Sequence, residues 1–155
     1  MSIRPSKVLL IVFLLIICVT LSACPAVPLI QSFKDIGATE SDRQTLLANE
    51  VKEFNISRYW GSSDALTRVT PDAQDLVRSE ILRAKRSKER IVESNVEFMN
   101  FEEDAYKATV DLAVRYFSVP SYIVHERYER QHWVFSISEG WKMNNLQVNP
   151  DENNV

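Results

Sequence analysis

The strongest nucleophiles of the 155-residue chain are its two cysteines, Cys18 and Cys24, and both lie near its start. Cys24 follows Leu21-Ser22-Ala23 at the end of a long apolar run. A thiolate is nucleophilic enough to be alkylated, and the product is a thioether. No cysteine follows Cys24, so its position indicates covalent modification rather than a disulfide.

The residues before Cys24 have the parts of an export signal. Residues 1–7 include Arg4 and Lys7 without an acid, and residues 8–23 are apolar and end in small side chains. Such a segment is typical of a signal peptide. The apolar run of roughly 16 residues is short for a bilayer-spanning helix, which needs about 20. An uncleaved anchor with a snorkelling lysine is the alternative.

The motif Leu21-Ser22-Ala23-Cys24 resembles the lipobox of bacterial lipoproteins. The resemblance implies that the Cys24 thiol carries a diacylglyceryl group and that residues 1–23 are cut off between Ala23 and Cys24. It also implies that the new amino group is acylated, for example with palmitate. The protein would then be anchored in the bacterial cell membrane or outer membrane and face the periplasm. A plain secretory signal, with Cys24 as a buried small residue, is the alternative.

The charge balance after cleavage gives no indication of a nucleic-acid partner. Loss of Arg4 and Lys7 lowers the basic count from 18 to 16 against 21 acids, a formal charge of −5. The apolar fraction of 45% and the aromatic fraction of 10% are those of a folded domain. We interpret residues 24–40 as the lipidated cysteine and a proline-containing tether, and residues 149–155 as a loose tail.

Residues 41–148 are predicted to form one α+β domain that begins with helices. Ser41 and Gln44 have the spacing of a capping box. Apolar residues recur at helical spacing as far as Gly61, which predicts a first helix over about 42–60. A short second helix is predicted directly after it.

A third helix is predicted to have Thr70 as its N-cap and Pro71 as its first residue. Proline lacks a backbone N–H, and the first helical position does not need one. Its apolar stripe consists of Ala73, Leu76, Val77, Ile81 and Ala84. The helix ends in the basic run RAKRSKER, from Arg83 to Arg90. This run indicates contact with anionic lipid head groups or with an acidic partner. The alternative is a solvated helix end that complements the helix dipole.

Beyond residue 90 the apolar residues alternate with period two, which is typical of β-strands. Four strands are predicted, near residues 91–100, 104–117, 121–137 and 140–148, joined as an antiparallel meander. Trp133 and Trp141 are predicted to lie in the core. The predicted fold class is α+β, with N-terminal helices packed on a strongly bent, cone-like, four-stranded antiparallel sheet.

The order of these elements and the ending QHWVFSISEGWKM resemble the nuclear-transport-factor-2-like (cystatin-like cone) superfamily. Its last two strands often carry a tryptophan, an acidic-glycine turn and then GWK. The residues that match are Trp133, Glu139, Gly140, Trp141 and Lys142. The resemblance covers about residues 41–148 and includes no catalytic motif. The usual short strand between the second and third helices is not evident.

The resemblance implies that any reactive Asp, His or Tyr would lie inside the cone. The candidates are Tyr59, Asp111, His125, Glu126, Tyr128 and His132, and a possible pocket would contain Tyr59, Asp111 and His125. Asp111 shares its predicted strand face with polar residues. His125 and His132 are seven residues apart and therefore point to opposite faces of a strand, so they cannot share a metal ion. We predict no catalytic residue, metal or cofactor, and cross-strand charge pairs are the alternative explanation of the candidates.

Three functions remain open at this stage. The first is a membrane-tethered lipoprotein that binds a protein partner of the envelope or a small apolar ligand, and we lean toward it. The alternatives are a cone-fold enzyme of the isomerase or hydrolase type with a small hydrophobic substrate, and a scaffold subunit of an envelope assembly. A deep pocket with a buried Asp or His beside a Tyr would favour the enzyme. A cone filled by Trp133, Phe135 and the first helix would favour binding or scaffolding.

Overall fold

The structure is a computed structural model that describes residues 32–149. The described residues divide into two units between Ile36 and Gly37. Residues 32–35 of the first unit are helical, and the second unit contains every other element described below. The signal peptide, the cleavage site between Ala23 and Cys24, the lipidation of Cys24 and residues 150–155 of the tail lie outside the described residues.

The first long helix, α1 (Glu40–Tyr59), begins two residues earlier than predicted because a different pair of side chains caps it. The Thr39 hydroxyl accepts from the Asp42 N–H, and the Asp42 carboxylate accepts from the Thr39 N–H, both at 3.2 Å. The predicted capping box at Ser41 and Gln44 is therefore wrong, since both residues already lie within the helix. Gly61 follows the helix with φ +67, as predicted for a residue that ends it.

Two short elements connect α1 to the next long helix. Helix α2 (Asp64–Thr67) comes first, and a 3-10 turn (Pro71–Ala73) leads into α3 (Gln74–Arg86). Pro71 therefore begins the turn rather than the α-helix itself. The predicted apolar stripe of α3 is confirmed at its centre, where Val77 and Ile81 are buried.

Four antiparallel strands follow in the predicted meander, in the spatial order β1-β2-β3-β4. They are β1 (Glu89–Glu102), β2 (Lys107–Ser118), β3 (His125–Ser136) and β4 (Gly140–Val148). Val69 also forms an isolated parallel bridge with Met143 of β4, which alternation in the sequence did not reveal. Among the described residues β1 and β4 do not pair, so the sheet is open rather than closed.

The helices cover one face of the sheet, which we call the inner face, and the core lies between them. On β2 the buried inner row consists of Ala108, Val110, Leu112 and Val114. Trp133 packs edge-on against Phe54 of α1 with ring centroids 5.6 Å apart. The Trp141 indole N–H donates to the Arg43 carbonyl at 2.8 Å. The predicted core positions of both tryptophans are thus confirmed.

Within residues 32–149, no helix is both long enough and apolar enough to span a membrane.

Candidate functional site

Four charged side chains are buried on the inner face, where the end of α1 meets the first residues of β1 and β3. They are Arg58, Glu89, Arg127 and Glu129. Glu129 accepts hydrogen bonds from Arg58 and, at 2.8 Å, from the Arg127 Nε. Arg127 also donates to Glu89, so the four groups form one chain of alternating charge. We call this set the ionic cluster. Its two positive and two negative charges balance within the interior.

A second set of hydrogen bonds joins the ionic cluster to the apolar core. The Gln131 amide donates to the Asn55 side-chain carbonyl at 2.8 Å, and the Trp133 indole N–H donates to the Gln131 Oε1 at 3.2 Å. All three side chains are buried. The inner row of β3 therefore changes from ionic to apolar along the strand, with each polar group paired as burial requires.

The arginines control the ionisation of the buried carboxylate. Burial alone would raise the pKa of Glu129, but the charges of Arg58 and Arg127 outweigh burial and hold that pKa below its usual range. Burial likewise acts to lower the pKa of Arg58, and Glu129 outweighs it and raises that pKa. Both groups remain ionised at neutral pH. Glu129 is consequently a weak proton acceptor, which disfavours its use as a general base.

Little space remains beside the ionic cluster. The cavity there has a volume of about 20 Å³ and is lined in part by Arg58, Tyr59, Arg83, Glu89 and Arg127. A space of that size holds about one water molecule. An organic substrate does not fit against Glu129.

A larger opening lies between α1 and β1, and we call it the α1–β1 groove. Its volume is about 340 Å³. Apolar side chains form most of its surface, and Ile56, Val92 and Val96 at its rim are 43%, 51% and 46% exposed. The lining residues are Ala48, Val51, Lys52, Asn55, Ile56, Tyr59, Ile91, Val92, Glu93, Ser94, Val96 and Leu112.

Polar groups are few in this groove and occur in specific places. The Tyr59 hydroxyl lies 3.1 Å from the Ser94 hydroxyl across the gap between helix and strand. Burial raises the pKa of Tyr59, so the phenol stays protonated at neutral pH. Glu93 accepts from Arg115 of β2 at 3.0 Å, and Lys52 is exposed on α1.

The structure does not bring the predicted pocket residues Tyr59, Asp111 and His125 together. Tyr59 lines the α1–β1 groove. Asp111 alternates with the buried row of β2 and so faces the other side of the sheet, where Arg130 donates to both its oxygens at 2.7 and 2.9 Å. His125 is the exposed first residue of β3, and its ring lies 5.7 Å from that of Tyr116.

The remaining candidates also lie apart from the groove lining. His132 Nδ1 is 3.3 Å from the Thr109 hydroxyl of the neighbouring strand. Glu126 and Tyr128 are exposed on β3. For Asp111 and His132 the contacts are cross-strand pairs, which was the alternative explanation of these residues.

Sequence reasoning missed the ionic cluster because charged residues usually indicate a solvated face. The partners are also distant, since 71 positions separate Arg58 from Glu129 and 38 separate Glu89 from Arg127. One signal was available. Arg127 and Glu129 share the parity of Trp133 on a strand with strict alternation, and that parity places them on the inner face.

Comparison with known proteins gives a likeness of fold only. No protein-family model matches the chain, and no curated protein matches it. The chain is similar to the solution structure of RPA3114, a SEC-C motif containing protein from Rhodopseudomonas palustris. The identity is 15%, the match covers 68% of this chain and 87% of that one, and the TM-score is 0.51. The intermembrane space region of the chloroplast protein ARC6 matches with 14% identity over 66% of this chain and 93% of that one, with a TM-score of 0.45.

Proposed function

We propose that this protein is a bacterial lipoprotein, tethered through Cys24 and facing the periplasm, whose domain binds a small apolar ligand in the α1–β1 groove. The observation that carries the binding role is the groove itself. It is open to solvent, and its rim residues Ile56, Val92 and Val96 are exposed.

The size and lining of the groove suit a small ligand rather than a macromolecule. Ligand sites usually measure about 300–1,000 Å³ and are mostly apolar with a few placed polar groups. The groove of about 340 Å³ lies at the lower end of that range. An apolar ligand would bury the rim side chains, and the Tyr59 and Ser94 hydroxyls would orient a polar end.

The form of β1 argues against an added strand from a protein partner as the occupant. The pairing of β1 with β2 shifts register twice, between Ile91 and Glu93 and between Val96 and Phe98. Bulges and charged side chains on edge strands hinder the addition of a further strand. β1 carries three exposed glutamates, Glu93, Glu97 and Glu102.

The positions of Glu93 and Glu129 favour binding rather than catalysis. Glu93 is the one carboxylate of the groove lining, and Arg115 holds it in an ion pair. Glu129 is enclosed by two arginines and has no substrate-sized space beside it. A general base must reach the proton that it removes. Glu129 does not reach a ligand in the groove, and the hydrogen bonds from Asn95 and Arg115 lower the pKa of Glu93, which weakens Glu93 as a base.

The tether and the cone shape belong to the same proposal. The lipobox resemblance at Leu21–Cys24 supports the tether, and two or more acyl chains would hold the protein stably on a membrane. The two register shifts of β1, the filled inner face and the terminal GWK motif support membership of the cystatin-like cone superfamily with a strongly bent sheet.

Replacement of Cys24 by serine tests the tether. We expect the parent protein, expressed in a bacterium fed an alkyne-tagged fatty acid, to carry the tag and to partition into detergent. The Cys24→Ser variant should lose the tag and keep its signal peptide, since the lipid precedes cleavage. Tagged Cys24→Ser protein of mature size would refute lipidation at this position.

A fluorescent fatty acid tests the groove. We expect 11-dansylaminoundecanoic acid to bind the mature chain, residues 24–155 with Cys24→Ser, in a saturable 1:1 manner. Val96→Trp fills the groove from its rim and should weaken binding at least tenfold. Ile137→Trp, at a 68% exposed position outside the groove, is the matched control and should bind like the parent.

Variants of the other candidate residues complete this test. Asp111→Ala and His125→Ala should leave probe binding unchanged, because neither residue lines the groove. Equal binding by the parent and Val96→Trp, or no binding by the parent, would contradict the proposed site.

A further inference from the structure

One end of the domain combines an exposed apolar loop with a basic turn. The loop joins β2 to β3 and carries Tyr122, Ile123 and Val124, which are 66%, 62% and 47% exposed. The turn joins α3 to β1. The Val119 N–H donates to the Lys88 carbonyl at 3.2 Å, which holds the loop and the turn side by side. We call these two segments together the apolar-basic tip.

The loop is an ordered structure rather than a collapsed chain. The Tyr122 N–H donates to the Ser118 carbonyl at 3.2 Å, and the Tyr122 ring lies 5.4 Å from that of Phe117. Tyr122 also has φ +56, a conformation that few side chains adopt without support from their surroundings. In this ordered loop Ile123 and Val124 are exposed to solvent.

The structure divides the basic run Arg83–Arg90 into two parts. Arg83 pairs with Glu80 and Glu89, and the Lys85 ammonium donates to the Gly61 carbonyl at 3.3 Å. Arg86, Lys88 and Arg90 are exposed, and no ion pair involving them occurs within residues 32–149. The exposed acid nearest to the loop in sequence is Glu126. The tip is therefore positive on a mature chain whose formal charge is negative.

Trp60 adds a large aromatic side chain at the same end of the domain. It follows the last residue of α1 and is 85% exposed. The Lys85 contact to Gly61 ties this turn to the end of α3, next to Arg86. Tryptophan and tyrosine are enriched at membrane–water interfaces, where an aromatic ring meets both lipid and water.

We propose that the apolar-basic tip docks on an anionic lipid bilayer. Charge complementarity identifies this occupant, because Arg86, Lys88 and Arg90 would meet lipid phosphates while Ile123 and Val124 enter the boundary between head groups and acyl chains. The inference goes beyond the proposed ligand site, whose lining residues it does not use.

The proposed tether is long enough for this contact, and in that respect alone the inference rests on the proposed function. The tip lies near the end of α1 and the tether enters at its start, which for a helix of 20 residues is a distance of about 30 Å. The four helical residues 32–35 span about 6 Å, and the other twelve residues of 24–39 span at most about 40 Å when extended. A lipid on Cys24 therefore does not prevent the tip from reaching the same membrane.

Vesicle sedimentation with the lipid-free mature chain, residues 24–155 with Cys24→Ser, tests the docking separately from the tether. We expect binding to vesicles that contain phosphatidylglycerol, weaker binding to pure phosphatidylcholine vesicles, and loss of the difference at high salt. Each basic residue near an anionic surface contributes about fivefold. Arg86→Gln with Arg90→Gln should thus reduce binding more than tenfold, and Ile123→Ser should reduce binding to phosphatidylglycerol vesicles.

Two control variants carry the same kinds of substitution on other surfaces of the domain. Arg78→Gln with Lys107→Gln removes two charges, and Ile137→Ser removes one exposed isoleucine, so both should bind vesicles like the parent. A thermal melt confirms that each variant is folded. Equal binding to both kinds of vesicle, no binding by the folded parent, or equal losses in the control variants would overturn the proposal. Equal binding to both kinds of vesicle would indicate apolar insertion without selection for charge, and no binding by the folded parent would favour an acidic protein partner. None of these outcomes changes the fatty-acid labelling that tests Cys24.

Discussion

At the scale of single residues, the ionic cluster determines what the interior can do. The four side chains of the cluster are buried, and each charge is paired with a charge of opposite sign in the same cluster. They are Arg58, Glu129, Arg127 and Glu89. A buried pair adds little stability compared with apolar side chains, but removing one partner leaves a charge without compensation. The cluster is therefore sensitive to any change in a single member.

Glu129→Gln is the variant that isolates this effect. It leaves Arg58 and Arg127 without their shared carboxylate, and we expect a loss of about 3–5 kcal/mol in the free energy of unfolding, measured with urea. The control is Asp75→Asn, which breaks the exposed pair with Arg78 and should leave stability nearly unchanged. A Glu129→Gln domain as stable as the control would show that the cluster is not buried as described.

The pH dependence of stability should report the same carboxylate. Because the folded-state pKa of Glu129 lies below its unfolded value near 4.3, its contribution is fully present above that value. The contribution is lost as the pH falls through the folded-state pKa. We expect the urea concentration at the unfolding midpoint of the parent to decrease as the pH is lowered below about 4. The midpoint of Glu129→Gln should decrease less steeply. If the urea midpoints of the two proteins decrease equally steeply with falling pH, other carboxylates cause the loss of stability in acid.

At the scale of elements, the capping of α1 shows how closely local sequence determines a boundary. Thr39 and Ser41 are both suitable caps, and each has a polar side chain three residues later. The structure selects Thr39, whose extended backbone, with φ −107 and ψ 160, lets its hydroxyl reach Asp42. The choice depends on where the chain enters the domain, which a local pattern does not contain.

Alanine at the two positions distinguishes the two caps. Thr39→Ala should lower the free energy of unfolding by about 0.5–2 kcal/mol, because one N–H at the helix start loses its acceptor. Ser41→Ala lies inside the helix and should change stability by less than about 0.5 kcal/mol. Thermal or urea unfolding of both variants provides the comparison. A larger loss of stability in Ser41→Ala than in Thr39→Ala would show that Ser41 caps the helix.

The strands could be predicted from sequence better than the site could. Alternation of Ala108, Val110, Leu112 and Val114 identifies the inner row of β2, and the structure confirms it. For Arg127 and Glu129 the same rule gives the inner face but not the ion pairs, because their partners lie far away in the chain. The α1–β1 groove depends on the gap between a helix and an edge strand, and no local pattern encodes that gap.

At the scale of the whole molecule, the described domain has three distinct surfaces. The α1–β1 groove is apolar and concave, the apolar-basic tip is exposed and positive, and the outer face of the sheet carries cross-strand pairs such as Asp111 with Arg130. We propose that the groove binds the ligand and that the tip contacts the membrane. The charges of the interior neutralise one another within the ionic cluster.

NMR mapping of a bound fatty acid tests directly whether the groove binds a ligand. Undecanoic acid is titrated into the ¹⁵N-labelled mature chain with Cys24→Ser, and the backbone amide shifts are followed. We predict saturable changes at groove residues such as Tyr59, Ser94 and Val96, with little change at Asp111 or Arg130. Changes confined to the outer face of the sheet or to the apolar-basic tip, or no change at all, would contradict the account.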